Sequence, residues 1–251
     1  TIGNILLHEA PLQAAALLTY NREVQYRHYA IAGFSWQTIQ KILLTALSLL
    51  KIFILARLLS PEQFGLFSLV MITLGVTESL TQTGINTTIL QAKQSVKYFL
   101  DTAFVIAIIR GFTIASIMIV AGYVMSNYYQ ESALLPMVAI AALVPIIKGF
   151  INPAIVSWQK NLAFAKDSFY TLLRSSVEIL AQISLAFLWH SSWALVVGVI
   201  VGAIFEVLLS FSMLKEKPVF NFVKSRAAVI LQNGKWLSLS SLLNYLNDNL
   251  D

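Results

Sequence analysis

Apolar residues fall in blocks of about 20 along this chain, with short polar or basic stretches between them. A helix of that length crosses a hydrocarbon core of roughly 30 Å. The blocks lie at 34–56, 64–82, 101–125, 134–156, 169–189 and 193–214, and a further one opens near Trp236. The pattern predicts an all-α integral membrane protein, a polytopic helical bundle of about seven spans. Pro61 ends the first helix, and Ser60 suits the cap of the second. Pro136, Pro145 and Lys148 interrupt the fourth block. Trp36, Trp189, Trp193 and Trp236 stand near block ends, where interfacial aromatics belong.

The first block is not uniformly apolar. Gln37, Lys41, Thr45, Ser48 and Lys51 fall within roughly 120° on one helix face, opposite Leu, Ile, Phe and Ala. A lysine near the bilayer centre costs on the order of 2.5–3.5 kcal/mol. The stripe is therefore expected to face a bundle interior or a wet cavity. Other blocks carry polar residues too. The second holds Glu78 with Thr73, Thr77 and Thr81, and the third holds Arg110. The fifth has Thr171, Arg174, Ser175, Glu178 and Gln182 within about 100°. The sixth has Gly198, Gly202, Glu206 and Ser210 at i+4 steps, and Gly198–Gly202 fits small-residue packing.

Two readings of these charges compete. They pair across helices, for example Arg110 with Glu78 or Lys41 with Glu178, and only hold the bundle together. Or they line a hydrated passage for a charged solute, which is the default for ionisable residues inside a membrane. Stripes on several spans favour the passage.

Composition agrees with the block pattern. Hydrophobic residues make up 57% of the 251 residues and charged residues 12%, about half the charge of an ordinary soluble domain. The net charge is +5, and its distribution matters more than its sum. The N-terminal region, 84–98, 157–167 and 215–235 hold Arg22, Arg27, Lys93, Lys97, Lys160, Lys166, Lys215, Lys217, Lys224, Arg226 and Lys235, whereas the alternate loops hold only Arg57. This asymmetry places the N-terminus and the basic loops in the cytoplasm, and no nucleic-acid partner is implied. There is no cysteine, and the three histidines are far apart, so no metal site is expected. No Walker loop, G-x-S-x-G elbow or H-E-x-x-H motif is present, and no enzyme activity is expected. No cleaved signal peptide is visible at the start. Thr1 opens the chain and an apolar-periodic stretch runs to Asp251, so a piece of a longer protein is expected.

The run Ala56-Arg57-Leu58-Leu59-Ser60-Pro61-Glu62-Gln63-Phe64-Gly65 resembles the turn between the first two spans of the polysaccharide-biosynthesis (Wzx-type) lipid-linked oligosaccharide flippases. These belong to the multidrug/oligosaccharidyl-lipid/polysaccharide exporter superfamily. Ser60, Pro61, Glu62 and Gly65 carry the turn motif. Gly84-Ile85-Asn86-Thr87-Thr88-Ile89-Leu90-Gln91 and Ser157-Trp158-Gln159-Lys160-Asn161-Leu162-Ala163-Phe164 are similar to two further family segments.

The resemblance implies a two-lobe transporter. Residues 1–30 would be a cytoplasmic extension and 31–214 the N-terminal six-helix lobe. Residues 215–235 would form a basic connector and 236–251 the start of a seventh span. The implied activity is transfer of an undecaprenyl-pyrophosphate-linked glycan across a bacterial or archaeal cytoplasmic membrane by alternating access, alongside membrane lipids and polysaccharide assembly proteins. Lys41, Lys51, Arg110 and Arg174 would supply countercharge to the pyrophosphate. Glu78, Glu178 and Glu206 would bind a coupling proton or sodium ion, or neutralise the cations; no other cofactor is implied. A cation-coupled drug exporter would favour acidic lumen residues, and the lysines of the first span argue against it. A glycan polymerase or ligase usually needs a large outer loop, and every outer turn here is short. A scaffold would need no polar lumen.

Overall fold

A computed structural model describes residues 35–81 and 84–232. In chain order the helices are α1 (Ser35–Leu58), α2 (Pro61–Leu80), α3 (Ile85–Gln91), α4 (Val96–Tyr129), α5 (Leu134–Ala141) and α6 (Leu143–Gly149). A 3-10 turn (Pro153–Ile155) leads to α7 (Val156–Lys160), α8 (Phe164–Trp189) and α9 (Ser192–Met213). Residues 224–232 are also helical. There is no strand among the described residues. Helices α1, α4, α8 and α9 are long and apolar enough to cross a membrane, and Leu134–Gly149 with Pro153–Lys160, bent by 61°, adds a fifth candidate. The protein is thus an all-α, multi-pass membrane protein. The N-terminal extension and the seventh block lie outside the described residues.

Helix α2 fills the second block. Its Ser60 cap is reciprocal: Ser60 Oγ accepts from the Gln63 N–H at 3.4 Å, and the Ser60 N–H donates to Gln63 Oε1 at 3.3 Å, with Pro61 and Glu62 in the first turn. The Gln63 amide also donates to the His190 carbonyl at 3.1 Å, joining this turn to the α8–α9 turn. Gly65 has open space around it.

Three expected boundaries move. The polar stretch 84–98 folds as α3, and α4 begins at Val96 rather than 101. At 34 residues, α4 is about 51 Å long and overshoots the hydrocarbon core at its ends. The fourth block does not run unbroken to 156. Pro145 has no N–H for the Ala141 carbonyl, and the chain breaks between α5 and α6 there. Asn152, fully buried, then ends the block. Its Oδ1 accepts from the Ala154 N–H, its own N–H donates to Ser210 Oγ at 3.1 Å, and its side-chain amide donates to the Glu216 carbonyl at 2.7 Å. The stretch 157–167, read as a loop, holds the end of α7 and the first turn of α8.

Lys160 explains how α7 is held. Its ammonium donates to the carbonyls of Ile89, Ala92 and Gln94 at 2.7–2.8 Å, satisfying the open C-terminus of α3.

The main core, around Val70, Met118, Leu134, Met137, Val138 and Val196, joins α2, α4, α5 and α9. A second cluster of Ile89, Phe99, Ile106, Val156 and Ile230 lies at the end carrying the basic loops. Helices α8 and α9 share the most extensive helix–helix packing among the described residues. A Cβ on Gly198 would come within 2.8 Å of the Gln182 Cα, and one on Gly202 within 2.6 Å of the Glu178 Cβ. Lipid offers leucine nothing worse than a protein interior does, so helices associate through such close approach.

Gly198→Val should destabilise the protein by about 3 kcal/mol, because the obstruction is backbone. Gly65→Ala should be neutral or stabilising by less than about 1 kcal/mol. Thermal unfolding in detergent checks both.

Candidate functional site

The polar stripe of α1 faces a cavity. A space of about 530 Å³ is lined by Gln37, Gln40, Lys41, Leu44, Thr45, Ser48 and Leu49 from α1 and by Asp167 from the first turn of α8. Leu55 and Leu59, at the other end of α1, pack on Ala186, Ala194 and Leu195. The two helices meet at one end and stand apart at the end carrying the basic loops.

One turn beyond Ser48, Lys51 belongs to a cluster of charges. Glu178 on α8 lies within electrostatic reach of Lys148 on α6, Lys51 on α1, Arg174 on α8 and Glu206 on α9. Arg174 forms an ion pair with Glu206 at 3.0 Å, the arginine about one-third exposed and the glutamate nearly buried. It is the one ion pair within 4 Å among the described residues. Tyr170 donates to the Glu206 carbonyl at 3.4 Å and packs on Trp158. Gln182, 1% exposed, donates to Glu178 Oε1 at 3.3 Å, while its own Oε1 has no partner. Gly198 and Gly202 press on Gln182 and Glu178 and fix their backbone. Around Glu178, three cations and one further carboxylate thus lie within electrostatic range, with only Arg174 and Glu206 in direct contact, and the positive excess suits an anion.

The expected residues divide. Lys51, Arg174, Glu178 and Glu206 come together, and Lys41 lines the adjoining cavity. The expected pairing of Lys41 with Glu178 is not formed; Lys51, about 15 Å further along α1, is the lysine in reach.

Arg110 lies elsewhere. Its guanidinium donates to the Thr81 carbonyl at 2.8 Å and the Glu78 carbonyl at 3.0 Å, closing the C-terminal turn of α2. It meets Glu78 through the backbone rather than by an ion pair, and Glu78 is half-buried outside the cluster. The threonine stripe of α2 does not line the α1 cavity; Thr81 opens with Arg110 on a separate space of about 280 Å³. Thr73 and Thr77 are buried, and Thr73, Thr77 and Thr81 donate to carbonyls four residues back. The turn residues Ser60, Pro61 and Glu62 serve the cap of α2.

Lys148 and Asp167 join the expected site residues. Lys148 follows Pro145 in an apolar segment, a visible signal. Asp167 stood in an expected loop, and nothing local ties it to α1.

The fold and this cluster define a multi-pass helical membrane protein with an anion-suited charged interior. The chain belongs to the family described as "Polysaccharide biosynthesis protein", which matches residues 54–251. It is similar to the lipopolysaccharide biosynthesis protein WzxC of Escherichia coli (strain K12), with 23% identity over 226 residues, covering 89% of this chain and 46% of that protein. It is also similar to an uncharacterized membrane protein in the cps region of Klebsiella pneumoniae, with 24% identity over 238 residues, covering 88% of this chain and 46% of that protein. The chain spans about half the length of these curated relatives. No solved structure matches it significantly.

Two measurements check the site. The Arg174→Gln and Glu206→Gln changes should be non-additive in stability, with a coupling of about 1 kcal/mol. Single cysteines at Thr45 or Ser48 should react with a water-soluble maleimide, while cysteines at Leu43 or Leu50, exposed on the opposite face, should stay unlabelled in a bilayer.

Proposed function

We propose that this chain forms the first lobe of a flippase that moves a lipid-linked oligosaccharide across a bacterial inner membrane for surface polysaccharide assembly. The observation that carries the proposal is the α1 stripe on a cavity that adjoins a cluster with more cations than carboxylates. Membership of the polysaccharide-biosynthesis family and the likeness to WzxC support the same reading.

On this reading the glycan is presented at the cytoplasmic end, where the basic loops and the N-terminus lie. Gln37, Gln40, Thr45 and Ser48 offer hydrogen bonds to hydroxyl-rich cargo. Lys41 meets the pyrophosphate first, and Lys51, with Lys148 and Arg174, meets it deeper. A lysine is a point charge on a flexible stem and can hold a phosphate without a fixed bidentate geometry. Glu178 and Glu206 neutralise the cations while no anion is bound; either could also carry a coupling proton. The protein is a transporter on this reading, not a glycan polymerase or ligase. Its cargo is held by charge and hydrogen bonds, and nothing is chemically changed.

The Lys41→Ala, Lys51→Ala double variant should still insert and accumulate in the membrane but should lose surface glycan by more than about tenfold, the loss of two charge-assisted contacts. Normal surface glycan in that variant would count decisively against the proposal.

A further inference from the structure

The segment that follows α9 combines three features. It is basic: Lys215, Lys217 and Lys224 are exposed, with Glu216 as the single acid between them. It is apolar outward: Val219, Phe220 and Phe222 are 64%, 72% and 52% exposed. It is also fixed in place rather than trailing free. The Val219 N–H donates to Asp101 Oδ1 at 2.9 Å and the Val223 N–H to Thr102 Oγ1 at 3.3 Å. The Phe220 ring packs on Phe104, which also meets Phe150 and Phe211.

These contacts set the segment's depth. Phe211 is in the last turn of α9, Phe150 follows the end of α6, and Asp101 begins the apolar part of α4. All three mark the level at which spans leave the hydrocarbon. Irregular backbone at that level needs its N–H groups satisfied by protein, and Asp101 and Thr102 do this. The helical residues 224–232 that follow bury Ala227 and Ile230 against α3, α4 and α7 and leave Val229 and Leu231 exposed. Exposed aromatics flanked by lysines at a bilayer boundary match the amphipathic character of that boundary, with rings among acyl carbons and ammonium groups among phosphates.

We propose that residues 215–231 form an interfacial strap that binds the headgroups of anionic phospholipids. Val219, Phe220 and Phe222 enter the acyl boundary, and Lys215, Lys217 and Lys224 hold the phosphates. The occupant is lipid because the patch is positive and apolar together, and an anionic leaflet complements both characters. The strap lies beyond α9, away from the Lys51–Glu178 cluster, and does not rest on the flippase assignment.

The test uses the full-length protein with a single cysteine at 220, and separately at 219, each carrying a nitroxide. It is reconstituted in phosphatidylcholine vesicles with or without phosphatidylglycerol. With phosphatidylglycerol present, both labels should be accessible to oxygen and shielded from a water-soluble nickel chelate. Retention of phosphatidylglycerol over phosphatidylcholine on the purified, otherwise native protein should fall about fivefold for each of Lys215→Gln, Lys217→Gln and Lys224→Gln. Labels open to the chelate in both vesicles would overturn the proposal. So would labels shielded from both reagents with lipid retention unchanged by the lysine substitutions, an outcome that would assign the patch to a protein partner.

Discussion

The approach of α9 to α8 through Gly198 and Gly202 is the contact on which the charged interior depends. With no side chain on α9 at those two positions, Glu178 and Gln182 lie directly on its backbone. One helical turn beyond Gly202, Glu206 comes opposite Arg174 and pairs with it. The same contact fixes the α8 stripe so that Glu178 points to where Lys51 and Lys148 can reach it. Wider spacing would separate these charges, and at low dielectric each separated charge is expensive. Packing and electrostatics are therefore one problem here: small residues bring the helices close, and closeness makes five ionisable groups tolerable together.

Cations serve two purposes in this chain. Arg110 and Lys160 give their donors to backbone carbonyls, at the end of α2 and the end of α3. A helix that ends near or within a membrane leaves its last carbonyls without water, and a charged donor with several N–H groups is an effective replacement. Lys41, Lys51 and Lys148 make no such backbone contact among the described residues. Their charge stays available to a cavity or to neighbouring carboxylates. An intramembrane cation in this protein is thus diagnostic of function only once the carbonyls around it have been inspected.

That distinction explains what the sequence could and could not reveal. The α1 stripe was legible because it is a property of one helix at 100° per residue, and the cavity lies on the face it marks. The Gly198–Gly202 contact was legible as spacing, and the reciprocal cap at Ser60 as a local motif. Arg110 was read as a cavity cation because its partners are carbonyls 29 and 32 residues away, and no spacing rule connects them. The break in the fourth block was only half legible. Pro145 signals a break, but the bend at Asn152 depends on Ser210, 58 residues on. Asp167 faces α1 only because α8 begins earlier than the apolar count suggested.

The uneven packing of α1 carries the last step. Near its end, Leu55 and Leu59 are buried against α8 and α9, and the Gln63–His190 bond ties the adjoining turns. Towards its start, a cavity separates it from Asp167, and its apolar side is largely exposed. A helix held firmly at one end and spaced from its neighbour at the other can change its tilt at little cost in buried contacts. Lys51 lies between the two regimes, close to the packed end and in reach of Glu178. A tilt of α1 therefore changes the Lys51–Glu178 separation, which is wider than an ion pair, and with it the attraction between the two charges. On the proposed transport reading, binding of a charged head group at Lys51 would thereby be linked to movement of the first helix.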